Sequence, residues 1–131
     1  MNARKILVVD DDKDIRGVVK MFLENAGYVV TTAADGVDAF NIIGKEQPDV
    51  MITDINMPRM DGIVLSLNIR EWGLKIPIVI MSTNLASGTL RESLMILTPF
   101  LLEKPFLPAT LLEVVKQALN STQGQPVQSA G

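Results

Sequence analysis

Apolar residues along this chain follow two rhythms. Unbroken runs occur at residues 6–9 (ILVV), 50–53 (VMIT), 76–81 (IPIVIM) and 100–102 (FLL), and a β-branched run occupies 28–32 (YVVTT). Each is short, flanked by turn-forming or charged residues, and reads as a strand. Between them the apolar positions recur every three or four residues, which is the period of one helix face. Ile15, Val18, Val19, Phe22, Leu23 and Ala26 form the first such stripe, closed by Gly27 as a C-terminal cap. Asp35 is placed to cap a helix carrying Val37, Phe40 and Ile43, which ends near Gly44. Asp61 caps another with Ile63, Leu65, Leu67 and Ile69, stopping near Trp72-Gly73. A fourth helix is expected within 87–97, and Pro108 opens a fifth carrying Leu111, Leu112, Val115, Ala118 and Leu119.

Five strands alternating with five helices predict an α/β fold with a parallel sheet covered on both faces. Near-continuous apolar strands fit burial on both sides. In open sheets of this class the site lies beyond the carboxyl ends of the strands. The tail from residue 120 to 131 is polar and without period, so it is expected to be a frayed end or a linker.

Composition narrows the chemistry. The 131 residues are 47% hydrophobic, enough for one domain with a real core. A net charge of −3 and a pI near 4.8 argue against direct nucleic-acid binding. No apolar run approaches a membrane span and the N-terminal stretch is too short for a signal peptide, so a cytoplasmic location is the default expectation. The chain has no histidine and no cysteine, which removes an imidazole base, a histidine-ligated metal and thiol chemistry. What remains is carboxylates, hydroxyls, Lys/Arg and bound ions.

Those groups collect where the strands end. Strand one runs into Asp10, Asp11 and Asp12; strand three into Asp54; strand four into Ser82 and Thr83; strand five into Lys104. In a parallel sheet these would meet at one rim. The negative charges of Asp10, Asp11 and Asp54 would be cancelled by Lys104 and one Mg²⁺, a cation that takes a few carboxylates, keeps waters and bridges to phosphate oxygens. A divalent ion beside one lysine favours phosphoryl transfer over sugar or acyl chemistry. Asp12 and Asp14 are read as loop and helix-start residues, and Asp61-Gly62 as a cap and turn.

The stretches ILVVDDDKDIR at 6–16, DVMITDINMPRMDG at 49–62, PIVIMST at 77–83 and EKPF at 103–106, in that order and spacing, resemble a response-regulator receiver domain, the phosphoacceptor of two-component signalling. The resemblance runs from residue 4 to about 119 and places the receiver domain at 1–119. It implies a flavodoxin-like, doubly wound five-stranded sheet of order 2-1-3-4-5. It implies that Asp54 is the phosphoacceptor, that Asp10, Asp11, Asp54 and the backbone carbonyl of Asn56 hold Mg²⁺, and that Lys104 pairs with Asp54 and then with the phosphoryl group. Ser82 would donate its hydroxyl to the phosphoryl oxygens, and Lys104-Pro105 would be a cis peptide. Asn56 and Asn84 match positions that tune dephosphorylation. The implied partner is a sensor histidine kinase or a histidine phosphotransfer protein, with an output partner or effector domain that the sequence does not name. On this reading the chain is a self-catalysing phosphoacceptor rather than an enzyme.

Two rival functions are weighed against it. An aspartyl-phosphate hydrolase of the haloacid-dehalogenase type wants a second Asp two residues after the nucleophile, but Asp54 is followed by Ile55 and Asn56. A non-phosphorylated binding module would not need the whole Asp/Asp/Asp/Ser/Lys set. The family pattern is broken near strand five: Ile96-Leu97-Thr98-Pro99 replaces the usual small residues, and Leu101 stands where a switch Tyr or Phe is common. Phe100 would face the opposite side of the sheet by strand alternation. The fourth helix, with Leu90, Leu94, Met95, Ile96 and Leu97, is unusually apolar; part of that is assigned to the core, and the excess is read either as a docking or homodimer surface or as the mark of a shorter or displaced helix.

Overall fold

The computed structural model describes residues 3–86 and 88–121. Strands and helices alternate throughout: β1 (Lys5–Val9), α1 (Lys13–Asn25), β2 (Val29–Ala33), α2 (Gly36–Lys45), β3 (Val50–Asp54), α3 (Gly62–Glu71), β4 (Ile78–Ser82), α4 (Gly88–Leu97), β5 (Phe100–Glu103) and α5 (Pro108–Asn120). The sheet is parallel with order β2-β1-β3-β4-β5. The fold is therefore the doubly wound, flavodoxin-like one expected from the sequence. The start of the expected fourth helix, Ser87, and the tail from 122 on lie outside the described residues.

The caps show why the elements begin where they do. Asp12 accepts from the amides of Asp14 and Ile15 at 2.9 and 3.2 Å, Asp35 from Asp38 at 2.9 Å, and Asp61 from Val64 at 2.8 Å. Each satisfies a helix-start amide that has no partner inside its own helix, a contribution of about 1 kcal/mol. Gly27 follows α1 with a φ of +98°, a left-handed turn that glycine adopts without penalty. Pro108 opens α5, where its missing amide costs nothing.

Alternation along each strand sorts the core into two layers. Ile6 and Val8 of β1 point toward α1 and α5, where Val19, Leu23, Leu111 and Val115 are buried with them. Leu7 and Val9 point the other way, onto Ala39 and Ile43 of α2, Leu65 and Ile69 of α3 and Leu94 of α4. Full burial of each such side chain contributes about 1.5–3 kcal/mol. The central strands β1, β3 and β4 are buried nearly end to end, so the polar groups at their carboxyl ends are carried by the centre of the core.

Near β5, Thr98 is buried. Its hydroxyl donates to the Ile78 carbonyl at 2.6 Å and accepts from the Phe100 amide at 3.1 Å. Leu101 packs with the α4 side of the sheet and Phe100 with the α5 side, as alternation predicts. Much of the apolar excess in α4 is core: Leu94 is buried and Leu90 and Leu97 pack against it. Met95 and Ile96 are left exposed, Ile96 at 85%.

Candidate functional site

The strand register fixes the rim. β1 and β3 are neighbours with Val9 opposite Thr53, so Asp10 and Asp54 follow side by side. β3 and β4 place Asp54 opposite Met81, and β4 and β5 place Ser82 opposite Glu103. The Lys104 amide donates to the Ser82 carbonyl at 2.8 Å, which carries the β4–β5 pairing one residue past the strand. Lys104-Pro105 is a cis peptide.

Asp10 is fully buried. Its Oδ1 accepts from the Asp12 amide at 2.9 Å and its Oδ2 from Lys104 Nζ at 3.0 Å. The same Nζ lies 3.3 Å from Asp54 Oδ1. One carboxylate oxygen each from Asp10, Asp11 and Asp54 falls within 4.8 Å of the others, with Asp11 the exposed member of the three. Four of the residues singled out in the sequence are thus gathered in one place. Ser82 ends the adjacent strand, buried, with its Oγ accepting from the Asn84 amide at 3.1 Å. Asn56 lies two residues past Asp54 in the connection to α3, with its side chain exposed.

Lys104 divides its charge between two carboxylates, and the shorter contact is to Asp10. The family resemblance implies a pairing with Asp54. Burial pushes the Asp54 carboxyl above its usual range; Lys104 opposes this and the neighbouring Asp10 reinforces it. Burial alone would lower the Lys104 ammonium, but the hydrogen bond and charge of Asp10, with Asp54 behind it, outweigh burial and raise it. One ammonium therefore serves two of three clustered carboxylates, leaving a locally negative site suited to a divalent cation with oxygen ligands.

Two glycines let backbones approach closely around the β3–α3 connection. A β-carbon on Gly62 would stand 2.0 Å from the Asp54 carbonyl oxygen, and its amide donates to Ile55 at 2.8 Å. A β-carbon on Gly36 would stand 2.4 Å from the Met60 carbonyl oxygen. Neither closeness was legible in the sequence, where Gly62 reads only as the residue after a cap. On the opposite side of Lys104, Ile15, Val18 and Phe22 of α1 line an apolar groove with Phe106.

A five-stranded parallel sheet of this order, with acids at the ends of its first and third strands and a lysine after its fifth, is the architecture of a two-component receiver. The response regulator receiver domain family matches residues 6–116, and the chain belongs to it. Among curated proteins it is similar to the sensor histidine kinase RcsC of Escherichia coli, 38% identical over 114 residues that make up 87% of this chain and 12% of that protein. It is also similar to the response regulator MprA of Mycobacterium ulcerans, 33% identical over 91% of this chain and 51% of that one. The chain thus spans an eighth to a half of the length of these relatives. Among solved structures, the chemotaxis protein CheY4 of Vibrio cholerae superimposes with a TM-score of 0.81 at 36% identity, covering 89% of this chain and 99% of that one. The receiver domain of the Francisella response regulator 1452 gives 0.82 at 33% identity, covering 88% and 96%. No helix among the described residues is long and apolar enough to cross a membrane.

Proposed function

We propose that Asp54 accepts a phosphoryl group from the phosphohistidine of a sensor kinase or phosphotransfer protein. The observation that carries this reading is the placement of Lys104 Nζ, 3.3 Å from Asp54 Oδ1 and 3.0 Å from Asp10 Oδ2, at the edge of a cluster of three carboxylates. An ionised carboxylate is already a nucleophile and needs no base, consistent with the absence of histidine. A carboxylate oxygen of Asp54 attacks phosphorus, the P–N bond to the donor imidazole breaks, and the imidazole leaves with the electron pair and takes a proton from solvent. Asp10, Asp11, Asp54 and the Asn56 carbonyl would hold Mg²⁺, which when bound offsets the charge of the incoming phosphoryl oxygens. Lys104 then exchanges part of its contact with the carboxylates for a phosphoryl oxygen. The groove beside Lys104 offers the donor protein an apolar seat on the same rim.

Output follows from the charge. Phosphorylation replaces one negative charge by roughly two and adds three strong acceptors. Ser82 Oγ accepts from Asn84, which leaves its own proton free to donate to those oxygens. Drawing Ser82 inward pulls the Asn84 backbone with it, and so the segment leading into α4. Moving from 1% to 99% in the active arrangement takes about 5.5 kcal/mol. Two charge-assisted hydrogen bonds, from Ser82 and Lys104, at about 1.5–3 kcal/mol each supply most of that. The altered surface is that of α4, β5 and α5.

The test is incubation with a small phosphodonor and Mg²⁺, read by intact mass. A lasting gain of one phosphoryl group, absent in Asp54→Ala and absent with a chelator, is the expected result. Turnover of donor with no lasting adduct would favour an aspartyl-phosphate hydrolase, and no reaction at all a binding module.

A further inference from the structure

The connection from β3 to α3 carries Asn56 and is tied down away from the carboxylates as well as beside them. At its far end Arg59 reaches the start of α2. Its Nε and Nη2 donate to Asp35 Oδ2 at 2.9 and 2.6 Å, and Nη2 is 3.5 Å from Asp38 Oδ1. One residue on, the Met60 carbonyl accepts from the Gly36 amide at 3.2 Å. Asp35 serves both sides of this junction, because its other oxygen caps α2 through the Asp38 amide at 2.9 Å. The Asp35 side chain is only 11% exposed, while the arginine that covers it is 56% exposed.

Arg59 adopts a φ of +66°, the left-handed region that disfavours an L side chain and that glycine enters freely. Glycine would make the turn with less strain. What arginine adds is the guanidinium, and the guanidinium goes to Asp35. The sheet fixes the loop at Asp54, and the Gly62 amide closes it onto Ile55 at 2.8 Å. Between these ends the Met60 amide donates to the Pro58 carbonyl at 2.7 Å and Met57 and Met60 pack against the core, while the Arg59 guanidinium and the Met60 carbonyl tie the segment to α2.

We propose that Arg59 is a positioning residue: its ion pair with Asp35 sets the path of residues 55–61 so that the Asn56 carbonyl faces the carboxylate cluster, and so sets Mg²⁺ affinity. The proposal rests on the reading above, in which that carbonyl joins Asp10, Asp11 and Asp54 around the metal. The pair is open to solvent on its arginine side, which weakens its contribution to global stability, so its effect belongs in metal affinity and in the loop rather than in the melting temperature.

The experiment compares wild type, Arg59→Gly, Asp35→Asn and the double variant. Arg59→Gly removes the guanidinium and the strain together, and Asp35→Asn keeps an N-cap while removing the charge. Each is titrated with Mg²⁺ by calorimetry, melted, and followed by amide exchange at 55–61 in chelator. Expected are Mg²⁺ affinities about tenfold weaker in either single variant, the scale of lost outer-shell support. The double variant should be no weaker than either, exchange at 55–61 should be faster, and the melting temperature should be nearly unchanged. Variants that bind Mg²⁺ as wild type does, or single effects that add in the double, would overturn the clamp alone. Wild type that binds no Mg²⁺ would overturn it together with the functional reading beneath it.

Discussion

The carbonyl oxygen of Asp54 lies 2.0 Å from where a β-carbon on Gly62 would be. The proposed phosphoacceptor and the first residue of α3 are therefore packed backbone against backbone, and the atom in the way cannot swing aside as a side-chain tip could. Gly62→Ala should push Asp54 out of register with Asp10, destabilise the protein by about 3 kcal/mol, and slow phosphoryl acceptance. Urea denaturation and the mass assay measure the two effects separately. A variant as stable and as reactive as wild type would show that α3 can retreat freely.

Lys104 is the cation that makes the buried Asp10 tolerable. Lys104→Met leaves that carboxylate, 1% exposed, beside Asp54 without its partner. Breaking such a pair costs about 3 kcal/mol or more, measurable by urea denaturation in chelator, and added Mg²⁺ should restore part of it. The folded-state pKa of Lys104 is raised above 10.5, so its stabilisation is complete below that pH and is lost as pH rises through the folded value. The gap between wild type and Lys104→Met should close only in strongly alkaline solution.

Asp54 behaves in the opposite sense from a typical paired carboxylate. Burial raises it above 3.8, so between that pH and its folded value the native state holds more protons than the unfolded one. Stability attributable to Asp54 is present at low pH and declines as pH rises through this window. Asp54→Asn should therefore stabilise the metal-free protein at neutral pH, with the advantage shrinking as the solution is acidified. Thermal melts in chelator from pH 4 to 8 check this. Added Mg²⁺ should favour wild type over the variant.

Ser82→Ala tests the link from chemistry to surface. The variant should still gain a phosphoryl group on Asp54, but the change in amide exchange across 83–97 on phosphorylation should be largely lost. Equal changes in wild type and variant would remove Ser82 from the route.

Most of the fold was legible because its signals are local. Asp12, Asp35 and Asp61 each precede a periodic run and each caps a helix; element limits moved only by a residue or two, as in β2, which ends at Ala33 rather than Thr32, and α2, which runs to Lys45. The candidate site was legible at one remove: a parallel sheet brings strand ends together, so Asp10, Asp11, Asp54, Ser82 and Lys104 could be named without a distance. What sequence could not order was the competition among them. That Lys104 lies closer to Asp10 than to Asp54 depends on differences of tenths of an ångström. Arg59 escaped notice because its partner Asp35 is twenty-four residues away and already had a sufficient role as a cap. The division of α4 into a core face and an exposed Met95-Ile96 edge was hidden because both are equally apolar.

The acids, the hydroxyl and the ammonium all follow the carboxyl ends of paired strands, whereas Met95 and Ile96 hang from a helix whose other side packs against the core. Substitution at that outer edge would leave the packing around the carboxylate cluster untouched. The candidate site and the exposed α4 edge therefore occupy separate parts of the same small chain, free to change independently.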